Sequence, residues 1–584
     1  MEDSKLLIAS QKAEKWLQSG LDTETCNQIK DLLNNPQELI EAFANDLEFG
    51  TGGLRGIMGV GTNRMNVYTV QMATQGFCNY IIKTFPKQKD LKSSIYRIAI
   101  AYDSRNNSKI FAEVTANVFS ANGFKVFIFE SLRPTPELSF AVRNLICNGG
   151  VMLTASHNPK EYNGYKAYWT DGGQLVPPHD KNVILEVNAI KSFSDVKNQK
   201  VADSITILGK DFDNIYINEV IKTLLSPASI KNHHNLKIVY TPIHGTGVEL
   251  VPMTLKKIGF TNVHIVKEQS VPDGNFPTVI SPNPEEKAAL NLALELAKKI
   301  DADLVMATDP DGDRVGVAVK NLEGEHILLN GNQTATILTY YMLSKWKENK
   351  KLKGNEYIVK TIVTTELIAA IANDFNVEYF DVLTGFKYIA EVILENEEKK
   401  KYICGGEESY GFLVGDYVRD KDAVSACAML AECAAWAKEH RKTLYNLLIE
   451  IYCKYGFYKE SLLSITKKGS DGKEEIKKMM KNFRQNPPTS IASSKIVCMK
   501  DYQLQISHDF TNGSKTTIEQ PKSDVLQFIT TDGSIISIRP SGTEPKIKFY
   551  FGVKEKLTSP NDFNATGLKL DLKIENIINS LNVK

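Results

Sequence analysis

The segment "YRIAIAYDSRNNSKIFAEVTANVFSANGFKVFIFES", residues 96–131, decides the fold class. "YRIAIAYDS" is an apolar run of strand length, "SKIFAEVTANVFSANG" has the spacing of a helix ending at Gly123, and "FKVFIFES" is a second strand-like run. That succession predicts a βαβ unit in a mostly parallel sheet. The next apolar run, "GGVMLT" (149–154), reads as another strand of the same sheet and stops abruptly in Ser156, His157, Asn158 and Pro159.

Working outward, the alternation recurs. "LKIVYTPIHGTG" reads as strand then loop, "VELVPMTLKKIGF" as a helix, "TNVHIVKE" as a strand, "EKAALNLALELAKKIDAD" as an amphipathic helix and "ADLVMATD" as a strand. The helix "GNQTATILTYYMLSKW", the strand "NEYIVKTIV" and the helical "LIAAIANDF" repeat the style. Three α/β units of similar size point to duplicated architecture without a strict sequence repeat. Weakly patterned, polar sequence around 192–210 sets a first boundary, giving expected domains 1–205, 206–325 and 326–455. Residues 456–584, with strands, Lys-rich helices and a final amphipathic helix, are expected to form an α+β closing domain.

Bulk properties agree with several domains, because 584 residues exceed one ordinary core. A content of 42% apolar and 24% charged residues argues against wholesale disorder. With 70 basic and 69 acidic residues there is no electrostatic footprint for nucleic acid. No apolar run approaches the roughly 20 residues of a membrane span. The opening "MEDSKLLIASQKAEKW" has no secretory h-region. Eight scattered cysteines without a CxxC pair read as reduced core residues of a cytoplasmic protein.

Four stretches carry chemistry. In "ATDPDGDRVGVAV", Asp309, Asp311 and Asp313 alternate in a tight loop between two apolar runs. Three carboxylates so close repel unless a cation sits among them, and hard oxygen ligands suit Mg²⁺ or Ca²⁺. Arg314 and Lys320 stand where an EF-hand needs Gly and Glu, which rejects that motif. In "IRPSGTEPKIKFY", Arg539, Ser541, Gly542 and Thr543 gather a guanidinium, two hydroxyls and approachable backbone N–H groups, a cradle for phosphate. In "ICGGEESYGF", Glu407 and Ser409 face one way from an extended loop and suit adjacent hydroxyls of a polyol, or else form a solvated turn. "FGTGGLRGIMGVGTNRMN" is a glycine-rich loop with Arg55 that matches no nucleotide fingerprint and suits an anion. Ser156 is then a candidate nucleophile. It lacks the GxSxG elbow of a hydrolase, so phosphoryl transfer fits better than acyl transfer. At an extended strand end, Ser156 and His157 side chains should diverge, which argues against His157 as the direct base.

Together "TASHNP" (154–159), "DPDGDR" (309–314), "GEES" (406–409) and "RPSGTEP" (539–545), with "GTGGLRG" near the N-terminus, resemble the α-D-phosphohexomutase superfamily and its phosphoglucomutase/phosphopentomutase branch. The resemblance implies an α/β protein of four domains around a central cleft, three related mixed α/β domains and a smaller C-terminal α+β domain. It implies Ser156 as a phosphoserine carrier that joins Asp309, Asp311 and Asp313 around one Mg²⁺. It also implies Glu407 and Ser409 reading the sugar, and Arg539, Ser541 and Thr543 holding the non-reacting phosphate. Arg314 would offset phosphoryl charge. Lys166 and Lys421, by motif position, are the candidate bases, with His157 orienting Lys166 or binding phosphate. Either lysine would need a lowered pKa to act as base. The implied reaction interconverts glucose 1-phosphate and 6-phosphate through a bisphosphate, with glucose 1,6-bisphosphate as activator. A phosphopentomutase and, more distantly, a Mg²⁺-dependent sugar phosphatase are the alternatives. The expected partner is a small phosphosugar, with no nucleic acid or membrane, and the expected state a monomer or homodimer.

Overall fold

Three helices, Glu2–Leu17, Thr23–Leu33 and Pro36–Phe43, precede the first strand. Asp22 and Asn35 cap the latter two by accepting from Thr25 and Glu38 N–H, which is why they start where they do. The computed structural model describes residues 2–49, 52–86, 96–467, 472–541 and 546–582.

The first sheet contains β1 (Gly53–Ile57), β2 (Arg97–Tyr102), β3 (Lys125–Phe129), β4 (Gly149–Leu153), β5 (Tyr162–Tyr168) and β6 (Ile205–Leu208). Its order is β1-β5-β4-β2-β3-β6. Strands β4, β2, β3 and β6 are parallel, whereas β5 and β1 run antiparallel at the other edge. Strand β4 is buried throughout and β2 nearly so, the burial expected of unbroken apolar runs in a covered parallel sheet. The expected boundary at 205 falls at the first residue of β6, which pairs with β3. Exposed Thr206 and Ile207 give this short edge strand no clear pattern.

The second sheet repeats the plan with β7 (Ile238–Thr241), β8 (Val263–Ile265), β9 (Leu304–Thr308), β10 (Val315–Lys320) and β11 (His326–Leu329), in the order β11-β10-β9-β7-β8. Strands β9, β7 and β8 are parallel, and β10 and β11 are antiparallel additions. Because β11 pairs with β10, this sheet reaches beyond the expected boundary at 325 to Leu329. Both sheets therefore turn from the last parallel strand into an antiparallel neighbour. The β4–β5 turn carries Ser156, and the β9–β10 turn carries Asp309, Asp311 and Asp313. Both loops leave the carboxyl end of a parallel strand, the usual seat of ligand sites in α/β sheets.

The chain divides into two compact units: Met1–Leu329 with Phe386–Ile403 and Tyr410–His440, and Asn330–Gly385 with Cys404–Ser409 and Arg441–Lys584. The first takes in the buried helix Ala423–Glu439, packed on helix Gly247–Ile258. The expected domain 326–455 thus contributes to both. In the second unit, β12 (Glu356–Thr361) and β13 (Glu378–Val382) pair in parallel. Strand β14 (Lys401–Gly406) ends there, and β15 (Phe412–Val414) belongs to the first unit. The closing domain is an antiparallel sheet of eight strands: β16 (Phe457–Thr466), β17 (Ser490–Ile491), β18 (Ser494–Asp501), β19 (Ile506–Asp509), β20 (Lys515–Thr517), β21 (Leu526–Thr530), β22 (Ile535–Pro540) and β23 (Lys546–Glu555). Helices Gly472–Gln485 and Phe563–Ser580 complete the α+β domain. All eight cysteines are unpaired thiols. Among the described residues no helix is long and apolar enough to cross a membrane.

Candidate active site

Beyond β4 the chain bends sharply. Ser156 adopts a left-handed backbone, φ 54°, which costs a non-glycine residue about 1–2 kcal/mol. Neighbours from the adjacent strand hold it there. The Ser156 N–H donates to Thr154 Oγ1 at 2.8 Å, and Thr154 Oγ1 donates to Asp103 Oδ2 at 2.7 Å, just past the end of β2. Arg105 is buried beside Asp103 and donates to the carbonyls of Ser156 (2.5 Å), Asn158 (2.5 Å), Pro159 (2.9 Å) and Tyr162 (3.1 Å). One guanidinium thereby satisfies four carbonyls that a tight loop withdraws from any ladder. Its ring-like plane rests 5.1 Å from the centroid of Phe276.

Ser156 Oγ donates to Asp309 Oδ2 at 2.9 Å and lies 3.2 Å from His157 Nδ1. The expected divergence of Ser156 and His157 is therefore corrected. The left-handed backbone at Ser156 rotates the two neighbouring side chains to the same side, which an extended strand end would not do. Burial, with the positive charges of Arg314, Arg55 and Arg105, drives the His157 pKa well below its usual value and keeps the ring neutral.

The three aspartates are fully buried or nearly so, and one carboxylate oxygen from each lies within 4.8 Å of the others. Gly312, φ 64°, makes the turn, and Asp309 Oδ1 accepts from the N–H groups of Asp313 (3.1 Å) and Arg314 (3.0 Å). Thr135 donates to Asp311 through its N–H (to O, 2.8 Å) and Oγ1 (to Oδ2, 3.1 Å). Lys166 Nζ reaches Asp311 Oδ2 at 2.7 Å and Asp313 Oδ2 at 3.2 Å, and Lys421 Nζ reaches the same Asp313 oxygen at 3.2 Å. Asp311 Oδ1 and Asp313 Oδ1 remain buried without a hydrogen-bond donor. Two orphaned carboxylate oxygens beside a third buried carboxylate fit a hard divalent cation, so the triad could hold a metal.

The electrostatics divide within this cluster. Burial, then the charges of Asp311 and Asp313, pushes the Asp309 pKa well above the carboxylate range. Burial acts the same way on Asp313, but Lys421, Lys166 and Arg314 outweigh it and hold its carboxyl below that range. At Lys166, burial opposes the charge but Asp311 and Asp313 prevail, so its pKa rises. The lowered pKa that a basic Lys166 requires is absent from this state. Arg314 pairs with Glu285 at 2.8 Å, and Arg55, exposed on β1 opposite Gly164 of β5, is near enough for its charge to act on His157.

Lys421 is held from several sides. Its Nζ lies 3.0 Å from Asp420 Oδ1, and its ammonium sits 5.3 Å from the ring centroid of Phe386. A Cβ at Gly411 would come within 2.1 Å of the Lys421 stem, so the lysine's path depends on that glycine.

In the second unit, Glu407 Oε1 accepts from Gly385 N–H at 2.9 Å, while Ser409 is half-buried. Glu408 points elsewhere and accepts from Thr361 and Thr364 Oγ1, both at 3.2 Å. Burial and then the Glu407 charge push its pKa up to about 6. Arg539 lies on β22 opposite Lys548, and Ser541 N–H donates to Lys546 O at 2.7 Å. Tyr550 links these two regions. Its hydroxyl pKa is raised by burial and then by Glu408, and lowered by Arg539. Gly542 and Thr543 lie outside the described residues.

Ser156, His157, Lys166, the three aspartates, Arg314 and Lys421 are thus assembled in the first unit, and Glu407, Ser409, Arg539 and Ser541 belong to the second. Sequence reasoning missed Asp103, Arg105, Thr135 and Asp420. "YDSR" at the end of a parallel strand was the available signal for the first two, since loops at adjacent strand ends converge.

Family models for phosphoglucomutase/phosphomannomutase match the chain in order: α/β/α domain I over residues 46–193, domain II over 214–324, domain III over 330–455 and the C-terminal domain over 491–557. The chain is 35% identical over 547 residues to the phosphoglucomutase of Staphylococcus aureus strain MRSA252, covering 94% of this chain and 96% of that protein. Among solved structures, a phosphoglucomutase/phosphomannomutase family protein of Burkholderia thailandensis superposes with a TM-score of 0.64 at 18% identity, covering 87% of this chain and 93% of that one. Paramecium pp63/parafusin in its open form gives 0.64 at 17% identity, covering 91% and 95%. Both share the fold.

Proposed function

Because the chain belongs to the phosphoglucomutase/phosphomannomutase family, we propose that it is a sugar-phosphate mutase that interconverts glucose 1-phosphate and glucose 6-phosphate through phospho-Ser156. The observation that carries this reading is Ser156 Oγ at 2.9 Å from Asp309 inside a buried carboxylate triad. A hydroxyl in that place is suited to exchange a phosphoryl group where charge can be neutralised.

Asp309, Asp311 and Asp313, with an oxygen on Ser156, would hold Mg²⁺, which when bound supplies positive charge to the phosphoryl group in transit. In the first half-reaction the bond from phosphorus to Ser156 Oγ breaks as a bond to the sugar hydroxyl oxygen forms. The hydroxyl proton is assigned to Lys421, which must first release its own proton and stand as the neutral amine, and Ser156 Oγ recovers a proton from Lys166, whose raised pKa suits it to hold one. The bisphosphate so formed turns over, and the same steps in reverse return its other phosphoryl group to Ser156. Arg314 and Arg55 offset phosphate charge. Glu407 and Ser409 are assigned to the sugar hydroxyls, and Arg539, Ser541, Gly542 and Thr543 to the phosphate that does not react. Glucose 1,6-bisphosphate would prime the resting enzyme. The name of the S. aureus relative favours hexose over pentose phosphates. Eight unpaired thiols suit a reducing cytoplasm.

A coupled assay tests the reading. Purified protein with glucose 1,6-bisphosphate should turn over glucose 1-phosphate with higher kcat/KM than ribose 1-phosphate, and chelation of divalent cations or Ser156→Ala should lower kcat by roughly 10³-fold or more. Full activity of Ser156→Ala would refute the carrier role. A preference for the pentose would reverse the substrate assignment.

A further inference from the structure

Resting on the mutase reading, we infer that Asp420 is a positioning residue that sets where the Lys421 ammonium lies, and that Tyr168 and Gln174 hold Asp420 for that task. The carboxylate is divided between two jobs. Oδ1 accepts from Lys421 twice, from its N–H at 2.8 Å and from Nζ at 3.0 Å, closing the side chain back on its neighbour. Oδ2 accepts from Tyr168 Oη at 2.7 Å and from Gln174 Nε2 at 3.0 Å.

Those two donors are neutral, and the 1% exposed carboxylate lies against the Lys421 ammonium, with its charge reaching Lys166 as well. Burial and then the Asp420 charge raise the Tyr168 pKa well above its usual value, which keeps that hydroxyl a donor. Tyr168 ends β5, the strand that also carries Lys166, and a Cβ on Gly52 would lie 3.1 Å from Gln174 Oε1. Asp420 therefore ties Lys421 to β5 through Tyr168 and to Gln174 beyond it. Phe386 and Gly411 constrain the lysine's ring contact and stem, and Asp313 Oδ2 meets its Nζ at 3.2 Å. Asp420 adds a second carboxylate partner for that ammonium, itself fixed by Tyr168 and Gln174. A displacement of about 1 Å in a catalytic group can cost on the order of 10²-fold.

A double-mutant cycle between Asp420→Ala and Lys421→Ala, read as kcat and KM for glucose 1-phosphate beside thermal unfolding midpoints, tests this. Asp420→Ala alone should lower kcat by roughly 10- to 100-fold with KM within about threefold. Asp420→Asn, which keeps an Oδ1 acceptor, should restore most of the loss. In the Lys421→Ala background Asp420→Ala should add less than about twofold, because the residue it positions is gone. Should Asp420→Ala not fold, Tyr168→Phe carries the same cycle, with roughly 3- to 10-fold expected alone and none beside Lys421→Ala. Equal losses in both backgrounds, or a wild-type kcat in Asp420→Ala, would overturn the positioning role while leaving the mutase reading intact. A wild-type chain without mutase turnover would overturn both.

Discussion

The Ser156 loop and the Asp309–Asp313 loop occupy the same place in two sheets of the same plan, yet they make the turn by different means. Each joins the last parallel strand to an antiparallel neighbour, and each passes through the left-handed region, at Ser156 (φ 54°) and at Gly312 (φ 64°). The aspartate loop leaves that conformation to a glycine, which adopts it freely. The serine loop forces it on the residue proposed to carry phosphate, and Arg105 and Asp103 surround it with restraints. Strain accepted at a reactive residue, and avoided beside it, implies that the Ser156 geometry serves the chemistry. The two loops also balance charge differently. Arg105 meets carbonyls and one carboxylate, whereas Lys166 and Lys421 meet three carboxylates that still leave two oxygens without donors.

Removing the restraint should have the largest effect on stability. Arg105→Ala leaves Asp103 and four loop carbonyls without their partner, and should cost about 3–5 kcal/mol in denaturant unfolding. An unchanged midpoint would mean that the loop holds itself. A paired exchange sharpens the contrast further. Gly312→Ala places a Cβ 2.8 Å from Pro134 and forces alanine to positive φ, so it should destabilise by about 1–3 kcal/mol. Ser156→Gly should abolish turnover yet gain about 1 kcal/mol in the same experiment. A loss of stability in Ser156→Gly would contradict strain at that position.

The third strand-end loop extends the comparison to carboxylates without cations. Glu408 sits against two threonine hydroxyls, and its pKa rises to about 6 where that of Asp313, beside two lysines, falls. A raised carboxyl pKa means stability that is present at low pH and lost as pH climbs from the unfolded value through about 6. Glu408→Gln should therefore gain relative to wild type by about 1 kcal/mol between pH 5 and pH 7.5. A pH-independent difference would place Glu408 in a solvated setting.

Much of this site was legible in the chain. Asp309, Asp311 and Asp313 between two apolar runs are conspicuous because that pattern is costly without a cation. Ser156 stood out as a hydroxyl at the end of a buried strand. What was not legible depended on dihedrals and on pairing. The closeness of Ser156 and His157 follows from one positive φ, which residue type does not announce at a serine. Arg105 acts on Ser156, 51 residues away, and Asp420 is held by Tyr168, 252 residues away, through adjacency that only the fold supplies. Strands β6 and β11 escaped because short edge strands bury too little to alternate clearly.

The central claim is that Ser156 carries the phosphoryl group between sugars. Incubating the full chain with ³²P-labelled glucose 1,6-bisphosphate, mapping the label by peptide digestion and then chasing with unlabelled glucose 1-phosphate tests it directly. The account predicts label on Ser156 alone, its absence in Ser156→Ala and its full release to sugar phosphate during the chase. Turnover of glucose 1-phosphate with no label on Ser156, or label that the chase does not remove, would contradict it.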